Sequence, residues 1–158
     1  VSFDPNLRPS LWASESQMIG DINALAARAD WVLPGLSEGR LLTGYDDPSD
    51  IARFYLDQGA EAVIIKLGPK GAYYRTADAE DFVPAVPVEN VIDTVGAGDG
   101  FAVGVISALL ENQGFAQAVQ RGNWVGSRAV QSRGDMEGLP SRADLKLHMA
   151  HCAPGETA

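Results

Sequence analysis

DTVGAGDGFAVGVISALLE, from Asp93 to Glu111, is the segment that sets the fold of this chain. Three small residues, Gly96-Ala97-Gly98, lead straight into an apolar run. Glycine at 96 and 98 lets the backbone turn tightly and lets a ligand approach it closely. From Asp99 to Leu110 polar side chains are nearly absent, which predicts a helix buried on most sides. Gly100, Ala102, Gly104 and Ala108 would let that helix lie close against its neighbours. The N–H groups of residues 96–99 then stand at the open, positive end of a buried helix, which favours an anion. Asp99 falls in the first turn, its carboxylate beside that anion site. The same position suits an acid that merely offsets the helix dipole. The run is not a P-loop, since no G-x-x-x-x-G-K-[ST] is present. It is a poor dinucleotide fingerprint too, with Phe101 where a third small residue should stand.

Length and composition bound the remaining choices. The 158 residues make at most one ordinary domain, and 46% hydrophobic content supports a packed core. A net charge of −9 argues against nucleic acid or an anionic membrane as the main partner. Lysine occurs only at 66, 70 and 146, so anionic ligands must be met by a few placed cations and by helix ends. The single cysteine, Cys152, rules out an intrachain disulfide and suits a reducing, cytoplasmic setting. Neither a signal peptide nor an 18-residue apolar span is evident.

Taken in order, the chain alternates strands and helices. Val1-Ser2-Phe3-Asp4 predicts a short buried strand, followed by the Pro-rich loop Asp4-Pro5-Asn6-Leu7-Arg8-Pro9. In open α/β sheets, ligands bind beyond such strand ends. Residues 14–30 carry apolar positions at helical spacing (Met18, Ile22, Leu25, Ala26, Ala29) with Ser14 as cap. Trp31-Val32-Leu33 predicts a strand ended by Pro34. A helix with Ser37 as cap follows, and another from Asp50 to Gln58, stopped by Gly59. Ala62–Ile65 is a strong central strand. Lys66-Leu67-Gly68-Pro69-Lys70-Gly71 then turns into Ala72–Arg75 as a hairpin, and a strand from Asp81 to Pro87 leads to Asp93. Helices are expected over 114–132 and, capped by Ser141, over 142–151. His148 and His151 have no nearby Cys or His to complete a metal site, and both are expected at the surface. Residues 152–158, with Pro154, Gly155 and a polar end, form an expected disordered tail.

D-T-x-G-A-G-D, filled at every position from Asp93 to Asp99, resembles the signature of the ribokinase-like sugar kinases, the PfkB family. The resemblance implies an α/β, three-layer αβα fold. It spans residues 1–151 of this chain but only the C-terminal half of such a kinase. The chain opens on Val1 without Met, and the expected missing N-terminal half would hold further strands and a lid over the sugar. The implied activity is ATP-dependent phosphorylation of a sugar or sugar-acid hydroxyl. Asp99 would be the general base, and the N–H groups of Gly96, Ala97 and Gly98 the anion hole. That assignment agrees with the chemistry, because phosphoryl transfer needs positioning and charge stabilisation more than covalent help.

The same resemblance extends to other residues. DPNLRPSLW is similar to a loop of the family's 2-keto-3-deoxygluconate kinases and some fructokinases, placing Arg8 on sugar and phosphate oxygens and Asn6 near the nucleotide phosphates. Arg8 also suits a carboxylate or phosphate as a bidentate donor. The family often has N-x-x-E ahead of the second helix, its Glu orienting Mg²⁺ through water; here Gly35 replaces the Asn and Glu38 is kept. Lys66, Gly68 and Gly71 match the G-x-x-G nucleotide loop, which is equally an ordinary hairpin turn. Asn123 and Gly126 correspond to adenine-lining positions. SRGDMEGLP (Ser132–Pro140) is similar to a closing loop in which Asp135 meets the sugar. Asp93 is the candidate carrier of a monovalent cation such as K⁺. The expected substrate is 2-keto-3-deoxygluconate. A fructokinase or another PfkB-type kinase stays open, as does an inactive nucleotide-binding fragment. The expected partners are sugar and ATP, with a homo-oligomer left open.

Overall fold

The computed structural model describes residues 1–134 and 136–152, the last four without their side chains. Asp135 and most of the expected tail, residues 153–158, lie outside the described residues. The strands are β1 (Ser2–Phe3), β2 (Trp31–Val32), β3 (Ala62–Lys66), β4 (Gly71–Thr76) and β5 (Glu80–Pro84). They form one sheet in the order β1-β2-β3-β4-β5, the first three parallel and the last two antiparallel. The helices are α1 (Glu15–Ala26), α2 (Leu36–Thr43), α3 (Pro48–Leu56), α4 (Ala97–Leu110), α5 (Phe115–Ala129) and α6 (Arg142–Cys152).

The three layers follow from the period of the central strand. Successive side chains of a strand point to opposite faces. Val63 and Ile65 accordingly join Val32, Ile51, Ala52 and Tyr55 on the α3 side, while Ile64 joins Tyr74, Phe101, Val105 and Val119 on the α4–α5 side. Met18, Ile22 and Leu42 close a smaller cluster between α1 and α2. On the second face α4 and α5 approach to backbone contact: a Cβ added at Gly104 would stand 2.7 Å from the Gly122 Cα. Small residues at 104 and 122 permit that crossing.

Ser14 and Ser141 cap their helices as expected: Ser14 Oγ accepts from Gln17 N at 3.1 Å, and Ser141 Oγ from Asp144 N at 3.2 Å. Ser37 does not cap α2. Gly35 holds the N-cap position instead, because Glu38 folds back and accepts from Gly35 N at 2.7 Å. The helix expected from Asp50 begins earlier, at Pro48, capped by the Asp47 side chain on Ser49 N at 2.8 Å. The last strand stops at Pro84 rather than Pro87. His148 is not a free surface residue: its ring stacks on Trp124 with centroids 4.3 Å apart. His151 has no described side chain.

Helix α4 is buried on one face only. Gly100, Phe101, Gly104, Val105 and Ala108 are covered, whereas Val103 is 55% and Leu110 73% exposed. An all-apolar sequence predicts cover on most sides, but here only one side of α4 meets α5 and the sheet. Val91, Ile92 and Val95 in the preceding loop are exposed as well. Large exposed apolar side chains favour association where they adjoin. The 158-residue chain by itself is therefore expected to self-associate in light scattering, and Val103→Lys with Leu110→Lys to reduce it. A monodisperse parent would show the surface to be harmless. No helix among the described residues is long and apolar enough to cross a membrane.

Arg121 of α5, 3% exposed, donates to Glu111 Oε2 at 2.8 Å, and Arg142 donates to Glu111 Oε1 at 3.1 Å. The hydrogen bond and the charge of Arg121 hold the Glu111 carboxyl below the usual carboxylate range. Such a group adds stability above its ordinary pKa and loses it as pH falls through the lowered one. Glu111→Gln should thus lower the melting temperature at neutral pH, with the two melting curves converging in acid.

Candidate functional site

The C-terminal ends of the three parallel strands β1, β2 and β3 point the same way. They carry Asp4, the Pro34–Gly35 turn into α2, and Lys66. At that end of an open sheet, side chains from separate loops converge on a ligand. Gly96, the N-cap of α4, adopts φ 75° there, a left-handed conformation that glycine takes without steric cost. Ala97 N donates back to Thr94 O at 3.3 Å, and Gly100 N to Gly96 O at 2.8 Å. The N–H groups of Gly98 and Asp99 belong to the first turn and have no acceptor one turn earlier within the helix. Of the three amides expected in the anion hole, that of Ala97 is thus directed into the turn. The amides of Gly98 and Asp99, both among residues 96–99 expected at the open helix end, remain in the first turn. Asp99 itself is exposed in that turn.

Lys66 brings a cation to the helix end. Its Nζ would lie 3.5 Å from a Cβ at Gly98, an ordinary contact distance that puts the ammonium beside the first turn. Nζ donates to Asp4 Oδ2 at 2.5 Å, and the two side chains are only 17% and 20% exposed. Burial pushes the Asp4 carboxyl above its ordinary value; Lys66 opposes that shift, and Glu38 and Asp99 add to it. Asp4, Glu38, Asp99 and Lys66 therefore form one electrostatic cluster. Asp4 has no assigned role in the sequence reading. The only signal for it was an acid and a lysine at two strand ends, and their adjacency depends on sheet order.

Glu38 sits among these residues, with both oxygens in use. Oε1 accepts from Leu7 N at 2.8 Å and Oε2 from Gly35 N at 2.7 Å. It therefore ties the Asp4–Pro9 loop to the start of α2. A Cβ at Gly35 would stand 3.2 Å from Oε2, so glycine gives this fold-back more room than the family's Asn would. Among the described residues no three His, Cys, Asp or Glu form a metal cage. Glu38 is an oxygen donor of the kind Mg²⁺ takes, and with both oxygens already accepting from amides it suits contact through water. Arg8 is exposed and folds onto its own loop, Nη1 donating to Asn6 Oδ1 at 2.7 Å and to Leu7 O at 3.0 Å. Asn6 has φ 40°. Asp93 Oδ1 accepts from Val95 N at 3.0 Å, and Ile92 N reaches Val130 O at 2.8 Å, which ties the loop to the end of α5.

Three of the expected nucleotide contacts have structural work. Gly71 (φ 117°) is pressed against β5: a Cβ there would meet Ala85 N at 2.6 Å. Asn123, 8% exposed, turns inward and donates from Nδ2 to Val83 O and Pro84 O, both at 3.0 Å. Gly126 lets α5 approach the head of α4, its would-be Cβ 3.2 Å from Ala97 O. Gly68, by contrast, has φ 60° and open space around its Cα. Asp135, the expected sugar contact, lies outside the described residues.

The model of the pfkB family carbohydrate kinases matches residues 1–142. The 2-dehydro-3-deoxygluconokinase of Bacillus subtilis (strain 168) is 54% identical over 145 residues, which are 92% of this chain and 45% of that protein. The crystal structure of a PfkB protein from Polaromonas sp. JS666 superposes with a TM-score of 0.82 at 55% identity, covering 92% of this chain and 45% of that one. A putative ribokinase II from E. coli in complex with ATP and Mg²⁺ superposes with a TM-score of 0.84 at 29% identity, covering 95% of this chain and 48% of that one. The chain thus spans about half the length of the relatives it matches.

Proposed function

Because the chain belongs to the pfkB family of carbohydrate kinases, we propose that the full-length protein transfers the γ-phosphoryl group of ATP to a hydroxyl of 2-keto-3-deoxygluconate. This compound is the 2-dehydro-3-deoxygluconate of the Bacillus relative's name. The observation that carries the reading is the head of α4: Asp99, the first-turn amides and Lys66 meet at the C-terminal edge of the parallel strands. Asp99 accepts the proton of the substrate hydroxyl as its oxygen bonds to phosphorus and the bond to the β-phosphate oxygen breaks. The amides of Gly98 and Asp99, with Gly96 at the cap, hold the phosphoryl oxygens, and Lys66 adds a positive charge beside them. Bound with ATP, Mg²⁺ would supply charge neutralisation, and Glu38 is the carboxylate proposed to meet it through water. Asp93 is the proposed carrier of a monovalent cation. Arg8 and Asp135 are proposed to orient the sugar acid, Arg8 through its carboxylate.

The test is ADP release by the full-length protein with ATP and Mg²⁺, on 2-keto-3-deoxygluconate and on fructose. Faster turnover of the sugar acid is expected. Preference for fructose moves the substrate to the neutral ketoses, and no ADP release on either removes the kinase reading.

A further inference from the structure

We propose that Asp4 is a positioning residue for phosphoryl transfer, holding the Lys66 ammonium over the N-terminus of α4. The proposal rests on the kinase reading above. Asp4 follows β1 and Lys66 ends β3, with β2 between them, so the pair reaches across a strand. A lysine carries its charge on a flexible four-carbon stem and has three donors. One of them is spent on Asp4 Oδ2 at 2.5 Å. That bond fixes Nζ next to Gly98, where the two remaining donors and the first-turn amides can act on the same phosphoryl oxygens.

The competing account is a clasp kept for stability, and two features weigh against it. Asp4 Oδ1 is buried without a hydrogen-bond partner among the described residues. A half-satisfied buried carboxylate is a poor stabiliser, and partly buried ion pairs are weak evidence for stability in general. Burial also raises the Asp4 pKa despite Lys66. A carboxyl with a raised folded pKa stabilises the fold only below its unfolded pKa and loses that contribution as pH rises through the folded value. Ionisation of Asp4 is therefore a cost to the fold rather than a gain. Acids retained against stability are characteristic of functional sites.

Asp4→Asn in the full-length protein tests this, since Asn keeps the shape and removes the charge. Misplacing a catalytic group by about 1 Å can cost about 10²-fold in rate. We expect a fall in kcat of about that size, with a much smaller change in KM for ATP and a melting temperature unchanged or raised. Lys66→Met should be slower still, and adding Asp4→Asn to it should cost nothing more, because Asp4 acts through Lys66. Normal turnover in Asp4→Asn overturns the proposal. So does a further loss on the Lys66→Met background, or a drop in melting temperature that accounts for the lost turnover. Turnover of the parent is measured first; its absence removes the reaction Asp4 is said to serve and is distinguishable from a normal Asp4→Asn.

Discussion

Asp99→Asn in the full-length protein is expected to lower kcat by about 10²–10⁴-fold while ATP affinity changes little. The substitution keeps the side chain's shape and removes its charge and basicity. Asp99 is exposed in the first turn of α4, beside the amides of Gly98 and Asp99 and near Lys66. A carboxylate there can touch an incoming hydroxyl, and a base that acts only as the phosphoryl group moves affects kcat more than binding. An acid present only to offset the helix dipole predicts a different pair of results: a stability loss of about 0.3–1 kcal/mol with turnover nearly intact. A melt and a kcat on the same variant separate the two. Near-normal turnover would remove Asp99 as base and with it most of the proposed mechanism.

What could be read from the sequence was local, or came with the family signature. Ser14 and Ser141 announce their helices three residues ahead of the amides or carboxylates they meet, and the structure keeps both caps. The alternation at Val63, Ile64 and Ile65 appears directly as two core faces. The glycine turn at Gly96 opens α4 as expected. What could not be read depended on partners distant in the chain. Asp4 and Lys66 are 62 positions apart, and their meeting depends on the order of three strands. Ser37 looked like a cap because Ser is a good one, but Glu38 reaching Gly35 N and Leu7 N decided otherwise. Asn123 matched an adenine-lining position, yet its amide is turned to the end of β5, 39 and 40 residues away. The polarity of α4's neighbours was hidden too, since composition says that a helix is apolar and not which side is covered.

Gly71→Ala offers the sharpest test of whether the G-x-x-G turn is a nucleotide loop or a structural one at its second glycine. Gly71 has φ 117°, a region that an L-residue enters only under strain of about 1–3 kcal/mol. The added Cβ would also stand 2.6 Å from Ala85 N and 2.8 Å from the Pro84 carbonyl carbon. Both neighbours are backbone, so relief requires the β4–β5 ladder to open, an overpacking cost of about 1–3 kcal/mol more. The consequence spreads along a hydrogen-bonded path. Gly71 pairs with Pro84 in the ladder, and Val83 and Pro84 supply both acceptors of the buried Asn123 amide. Moving them leaves that amide unpaired and loosens α5, whose Gly122 and Gly126 lie against α4. The expected result is therefore a large drop in melting temperature, with ADP affinity of the folded fraction, measured by calorimetry at low temperature, little changed. Gly68→Ala serves as the counterpart: it shares the left-handed strain at φ 60° but has open space in place of a clash, so its melt should fall less. If Gly71→Ala melts like the parent and loses ADP instead, position 71 belongs to the nucleotide site, and the steric argument for it is wrong.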